Sequence, residues 1–237
     1  MTIVLPQLTA DPSWFPPPSE ALIEPDGLLA FGGDLSVARL QHAYQRGIFP
    51  WFSAGDPLLW WSPATRAVFT PNTLTVNRSL RKYQAQQQFH FSCNQSFAEV
   101  VQLCAAPRKN QPSTWIVPQI QQAYLALHLA GKAHSIEVWQ DQQLVGGLYG
   151  IVVGGLFCGE SMFNLRPNTA KLALVMLQQH LSHYCAGWID CQMPNPFLLQ
   201  QGASPMSRTN YLQLLTQLQT DACPDGHWRA GRLELKL

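Results

Sequence analysis

Residues 133–163, AHSIEVWQDQQLVGGLYGIVVGGLFCGESMF, decide the fold. Within them SIEVWQ, LVGGLYGIVV and LFCGES are rich in β-branched, aromatic and aliphatic residues, and are separated first by a polar DQ and then by GG. Short apolar runs punctuated by turn residues predict consecutive antiparallel strands. On the N-terminal side, NQSFAEVVQLCAA places Phe97, Val100, Val101 and Cys104 on one side of a helix, and VPQIQQAYLALHLAG reads as a second helix ended by glycine. On the C-terminal side, NTAKLALVMLQQHLSHY reads as a buried helix and GWIDCQM as a strand with Ile189 in the core, while PFLLQQGA and RTNYLQLLTQLQ read as closing helices. Further upstream RAVFTP and FHFSC read as strands, with NRSLRKYQAQQ a helix between them. Strands alternating with helices from about Ala67 onward predict an α/β or α+β domain.

Residues 1–65 are different. FPPPSEALIEPDGLLAFGGDLS is dense in proline and glycine, which predicts turns joining short elements. Asp34 or Ser36 can cap a helix over 37–46 that Gly47 ends, with Leu40, Ala43 and Tyr44 on one face. Trp51, Trp60 and Trp61 follow closely; such aromatics serve either packing or a stacking platform. At 237 residues the chain suits one large or two unequal domains, and the change in texture puts the boundary at 1–65 and 66–237.

Hydrophobic residues make up 46% of the chain, enough for a sizeable core, yet no run is apolar enough to span a bilayer. The first residues lack the pattern of a secretory leader, so a cytoplasmic protein is expected. Net charge is +1 and only 12% of residues are charged, which argues against a broad basic RNA-binding face. The candidate local cations are Arg78, Arg81, Lys82, Arg108 and Lys109, and a solvated helix face and loop are the favoured reading of them. No two of the six cysteines have CxxC spacing. The sequence around Cys185, His180 and His183 reads as a helix end, so free thiols and no metal site are expected.

Two segments place polar groups in apolar strands: Phe157-Cys158-Gly159-Glu160-Ser161-Met162-Phe163 and Trp188-Ile189-Asp190-Cys191-Gln192-Met193. A carboxylate there is costly unless it is paired, hydrogen-bonded or open to a cleft. Strand alternation puts Asp190 and Gln192 on one face and Cys191 on the other, a pair able to orient an amine and polarise a carbonyl or to form a structural network. Gly146, Gly147, Gly150, Gly154, Gly155 and Gly159 permit a bulge or a close approach by a ligand. No GxSxG, HExxH, P-loop or dinucleotide fingerprint is present.

GLLAFGGDLS, AYQRGIFPWFS, LLWWSP, TWI, LHLAGKAHSIEVWQDQQLVGGLYG, FCGESMF and IDCQ, in this order, resemble the leucyl/phenylalanyl-tRNA–protein transferase family from Phe15 to about Tyr211. The resemblance implies an α+β protein, with a small N-terminal domain before an acetyltransferase-like (GNAT-like) domain whose sheet is mixed and largely antiparallel. The order of a helix pair, a meander, a helix and a further strand is itself similar to that arrangement, although fold analogy says little about chemistry. The resemblance further implies transfer of Leu or Phe, and conceivably Met, from Leu-tRNA or Phe-tRNA to proteins with N-terminal Arg or Lys, creating a degradation signal of the N-end rule. It implies no cofactor, no metal, no membrane and a monomer. By the same resemblance Asp190, Gln192 and Glu160 are the catalytic set, with Asp190 expected to help remove the acceptor amine's proton, directly or through Gln192, and Glu160 an acid near the site. Trp51 and Trp115 contact the aminoacyl-adenosine end, and Leu148, Phe157, Met162, Leu174 and Ile189 form the side-chain pocket, with Asn164 at its border. The chain departs from the family pattern at Asn164, Ala170, Phe197 and Ser207. An acyl-CoA-dependent acetyltransferase and a non-catalytic RNA-binding module are the competing readings. The first needs a glycine-rich loop opening a helix, and the second leaves Asp190 and Glu160 unexplained.

Overall fold

The computed structural model describes residues 4–71, 73–107, 114–221, 223–224 and 226–236. The elements in chain order are β1 (Gln7–Leu8), a 3-10 turn (Pro18–Glu20), β2 (Leu28–Gly32), α1 (Val37–Gln45), β3 (Phe49–Pro50), β4 (Leu59–Trp61) and β5 (Thr65–Phe69). They continue with α2 (Arg78–Gln86), β6 (His90–Cys93), α3 (Phe97–Ala105), α4 (Pro118–Leu129), β7 (Ala133–Gln140), β8 (Gln143–Val153) and β9 (Leu156–Asn164). The chain closes with α5 (Thr169–Tyr184), β10 (Trp188–Asp190), α6 (Pro196–Gln200), β11 (Ser204–Ser207), α7 (Arg208–Thr220) and β12 (Gly231–Leu233).

Local chemistry accounts for most of these boundaries. The Ser36 side chain accepts from the Arg39 N–H to start α1, and Gly47 leaves it at φ +72°. Leu40, Ala43 and Tyr44 are buried on α1 as the spacing predicts, and Phe97, Val100, Val101 and Cys104 are buried on α3. Asp141 and Gln142 both take positive φ in the tight β7–β8 turn, and Gly154 does so between β8 and β9.

Two sheets result. A small one runs β1-β2-β4-β3 and a large one runs β11-β5-β10-β9-β8-β7-β6-β12. Pairing in the large sheet is antiparallel except between β9 and β10. The architecture is therefore mixed α+β with a mixed, largely antiparallel sheet, as the sequence implies. Buried Leu172, Ala173, Val175 and Met176 of α5 help fill the core, while α3 and α4 bring Val100, Tyr124 and Leu127 to a second cluster.

Four expectations need correction. Strand β10 ends at Asp190 instead of running to Met193, because Gln192 turns to φ +56°. Cys185 and Cys223 form a disulfide, their Cα atoms 5.1 Å apart, where free thiols were expected. Spacing could not reveal a pair separated by 38 residues. Cys93, Cys104, Cys158 and Cys191 keep their thiols. Of the two uses expected of the glycines, the bulge is present where Gly150 pairs with Gly159, while the close approach at β8 is made by the protein's own atoms. A Cβ on Gly146 would lie 2.4 Å from Thr169 of α5, and one on Gly150 would lie 2.2 Å from the Cys158 carbonyl. Finally, β11 and β12 add edge strands that the sequence pattern did not announce. Arg78, Arg81 and Lys82 sit exposed on α2, while Arg108 and Lys109 lie outside the described residues.

Candidate active site

Strands β9 and β10 pair in parallel over three positions, from Trp188 opposite Leu156 to Asp190 opposite Cys158. There β10 stops while β9 continues to Asn164, so the rest of β9 loses its neighbour on that side. The gap is a cavity of about 490 Å³, within the range usual for small-ligand sites. Leu148, Phe157, Met162, Leu174, Leu177, Ile189 and Leu198 make it apolar. Trp51 and Trp115 stand among its walls, joined by Phe49 and Pro50 of the small sheet. Trp51 is 39% exposed and meets Trp61 edge-on at 5.4 Å, so its ring is held yet accessible.

Glu160 reaches this cavity through a backbone irregularity. Tyr149 pairs with Ser161 and Gly150 pairs with Gly159, which leaves Glu160 as the extra residue of a β-bulge. Such a bulge re-aims a side chain that regular alternation would send elsewhere. The Glu160 carboxylate accepts from Tyr44 (2.6 Å, Oε1), Tyr124 (2.6 Å, Oε2) and the Gln192 amide (2.9 Å, Oε1). Burial pushes its pKa up to about 7, against the lowering effect of the two tyrosine bonds. Burial likewise pushes both phenols well above their ordinary value, with the nearby carboxylate adding to it.

Proton counting explains how this cluster holds together. The hydroxyls of Tyr44 and Tyr124 are also only 2.7 Å apart, so three short oxygen–oxygen contacts close a ring. An ionised Glu160 leaves two phenolic protons for three contacts, and a proton on Glu160 supplies the third. The ring is thus built to accept one proton.

Asp190 has a different setting. It is fully buried and receives Arg66 through Nε at 3.2 Å and a shorter bond from Nη2, the Tyr211 hydroxyl at 3.0 Å and the Gln192 backbone N–H at 3.0 Å. Burial works against the Arg66 charge, but the Asp190 carboxylate outweighs it and raises the guanidinium pKa further. Arg66 also donates to the Gly47 carbonyl at 3.1 Å and lies against the Phe49 and Tyr211 rings, which ties the two sheets together.

The predicted site residues separate accordingly. Trp51, Trp115, Leu148, Phe157, Glu160, Met162, Leu174, Ile189 and Gln192 all line the cavity. Asp190 lies behind it with its oxygens occupied by Arg66, Tyr211 and the Gln192 N–H, and Cys191, expected on the far face, lines it instead. Asn164 is exposed at the end of β9, opposite Gly146, and is not part of the lining. The same positive φ at Gln192 that ends the strand explains the first two differences. Sequence reasoning missed Tyr44, Tyr124, Arg66 and Tyr211. The available signals were a tyrosine on the buried face of α1 and α4, and a charged residue inside the apolar strand RAVF.

The site is thus an apolar cleft with one re-aimed carboxylate and an amide beside it. The comparisons make this specific. The profile of the family described as "Leucyl/phenylalanyl-tRNA protein transferase" matches residues 68–216, and that of its N-terminal domain matches residues 33–64. A protein of Shewanella piezotolerans with the name leucyl/phenylalanyl-tRNA–protein transferase is 52% identical over 98% of this chain and 99% of its own length. One of Pectobacterium carotovorum with the same name is 52% identical over 96% of each chain. This chain belongs to the leucyl/phenylalanyl-tRNA protein transferase family and is an aminoacyltransferase. A solved structure of FemX aligns at TM-score 0.45 and 11% identity over 75% of this chain and 70% of that one, too distant to carry an argument. Among the described residues, no helix is long and apolar enough to cross a membrane.

Proposed function

We propose that the protein moves Leu or Phe, and to a lesser extent Met, from aminoacyl-tRNA to the N-terminal Arg or Lys of acceptor proteins in the cytoplasm, where the new residue acts as a degradation signal. The donor side chain enters the apolar cavity, and its adenosine rests between Trp51 and Trp115. The acceptor's α-amine approaches Glu160 and Gln192. The ester is already activated, so no cofactor is needed. As the amine attacks the ester carbonyl, its proton passes to Glu160 and from there to the departing 3′-oxygen, the carbonyl–oxygen bond breaks and the tRNA leaves as its 3′-alcohol. An α-amine with a pKa of about 7.7–8.0 and a base near 7 are well matched for this transfer. Asp190 acts one step back by holding the Gln192 backbone, and Asn164 borders the donor only indirectly.

The observation that carries this reading is the Glu160–Tyr44–Tyr124 ring, one proton short when ionised, opening on an apolar cavity. Holding both reactants there contributes on the order of 7–11 kcal/mol to lowering the barrier. The division into residues 1–65 and 66–237 belongs to the same reading, with the later part acetyltransferase-like because β9 and β10 pair in parallel and then part. The protein acts as a monomer. The test is transfer of labelled Phe from Phe-tRNA to an Arg-starting peptide, with Leu-tRNA and Met-tRNA alongside at one stated salt concentration. Transfer requires Glu160 and fails with a peptide whose first residue is neutral. Undiminished transfer by Glu160→Gln would remove the carboxylate from the chemistry.

A further inference from the structure

On the side of the molecule where α5 ends, Cys185, Cys223 and His227 bring their ligand atoms within 4.8 Å of one another, the one such group among the described residues. Cys185 caps α5, and Cys223 and His227 belong to the segment between α7 and β12. The His227 ring is oriented for ligation. Its Nδ1 lies 2.6 Å from the Pro224 carbonyl, which can only accept, so Nδ1 carries the proton and Nε2 keeps its lone pair. That Nε2 lies 3.6 Å from the Cys185 sulfur. A backbone carbonyl fixing one ring nitrogen while the other binds metal is a usual outer-shell arrangement.

We infer that the reduced protein binds one thiophilic divalent cation, of the zinc class, through the thiolates of Cys185 and Cys223 and the Nε2 of His227. With Zn–S near 2.3 Å and Zn–N near 2.0 Å, a tetrahedral ion separates its sulfur and nitrogen ligands by roughly 3.5 Å, close to the spacing found here. Its two sulfurs stand roughly 3.8 Å apart, so the disulfide and the metal are alternative occupants of one site. A fourth position falls to water or to His180, a buried residue whose Nε2 has no hydrogen-bond partner and whose ring centre is 6.0 Å from that of His227.

The two states interconvert by a balanced route. A dithiol reductant gives two electrons to the Cys185–Cys223 bond and leaves as its own disulfide, while the two sulfurs become thiols. The cation then displaces both thiol protons to solvent. Either occupant fastens the C-terminal segment to α5. That segment carries Trp228, whose ring stacks on His134 at 4.5 Å and lies 5.6 Å from Phe157 in the wall of the donor cavity.

The full chain, reduced without oxygen and freed of reductant, is titrated with zinc against a chromophoric chelator, and with cobalt to read thiolate-to-metal charge transfer. One zinc per chain is expected, with the cobalt band present and the melting temperature raised. The oxidised protein and Cys223→Ser lack all three effects. His227→Ala, which leaves both sulfurs in place and guards against a folding failure in the cysteine variant, weakens binding roughly tenfold or more. No stoichiometric zinc in the reduced protein, or unchanged affinity in Cys223→Ser or His227→Ala, overturns the inference.

Discussion

Asp190 and Glu160 stand on adjacent, parallel-paired strands, the first fully buried and the second half-buried at the cavity, and their neighbours set them further apart. Asp190 meets a guanidinium, a phenol and a backbone N–H, so it sits in a buried ion pair with its oxygens occupied. Glu160 meets two phenols and an amide, with no cation in contact, and burial lifts it to a pKa of about 7. The partner's charge, more than the depth of burial, decides whether a carboxylate is scaffold or chemistry.

The largest effect expected from disturbing this contrast is on stability. Arg66→Met removes one partner of the buried Arg66–Asp190 pair and should cost about 3–5 kcal/mol, read from the urea midpoint. A change within experimental error would mean that Asp190 is not held as an ion pair. On the other side, Glu160→Gln keeps shape and burial, so the midpoint should barely move while kcat for Phe transfer falls by about 10²–10⁴-fold.

The titration sharpens the contrast further. In the proposed mechanism the ionised Glu160 takes the amine's proton, so kcat should climb as pH rises through about 7 and then level. Because the Tyr44 bond lowers that pKa, Tyr44→Phe should move the climb to higher pH. A climb left in place by Tyr44→Phe would assign it to another group. A smaller effect is expected in the cavity wall. Leu174→Phe narrows the pocket and should shift preference from Phe toward Leu by roughly tenfold in kcat/KM. The smallest is at the end of β9, where Asn164→Ser should leave the Leu:Phe ratio within about twofold, as surface changes generally do.

How much of this was legible in the residues follows from where the backbone is regular. The apolar period of NQSFAEVVQLCAA and the glycine-punctuated run from 133 to 163 gave helix and meander to within three residues, because burial imposes those patterns directly. The cavity lining followed from the resemblance, and every apolar residue it named faces the cavity. Asp190 and Gln192 were read as neighbours on one face because alternation was assumed to continue. The positive φ at Gln192 breaks it, as the bulge at Glu160 does one strand away. Both irregularities depend on tertiary pairing: the glycines permitted a bulge without placing it at Glu160, and a left-handed glutamine has no marker in a single sequence. Tyr44 and Tyr124 meet Glu160 from helices far apart in the chain, and nothing in their local patterns points to a shared partner.

The two outermost strands of the large sheet have a bearing on solubility. An open sheet edge offers unpaired N–H and C=O groups to any passing strand. Here β11 and β12 are short; Pro205 in β11 has no N–H to give, and Arg232 sits exposed in β12. Proline, positive charge and brevity are the devices by which natural sheets refuse an intruding chain. This protein is an aminoacyltransferase that acts on other proteins, and under the proposed function its blunted margins leave the cleft as the place where an acceptor segment is received.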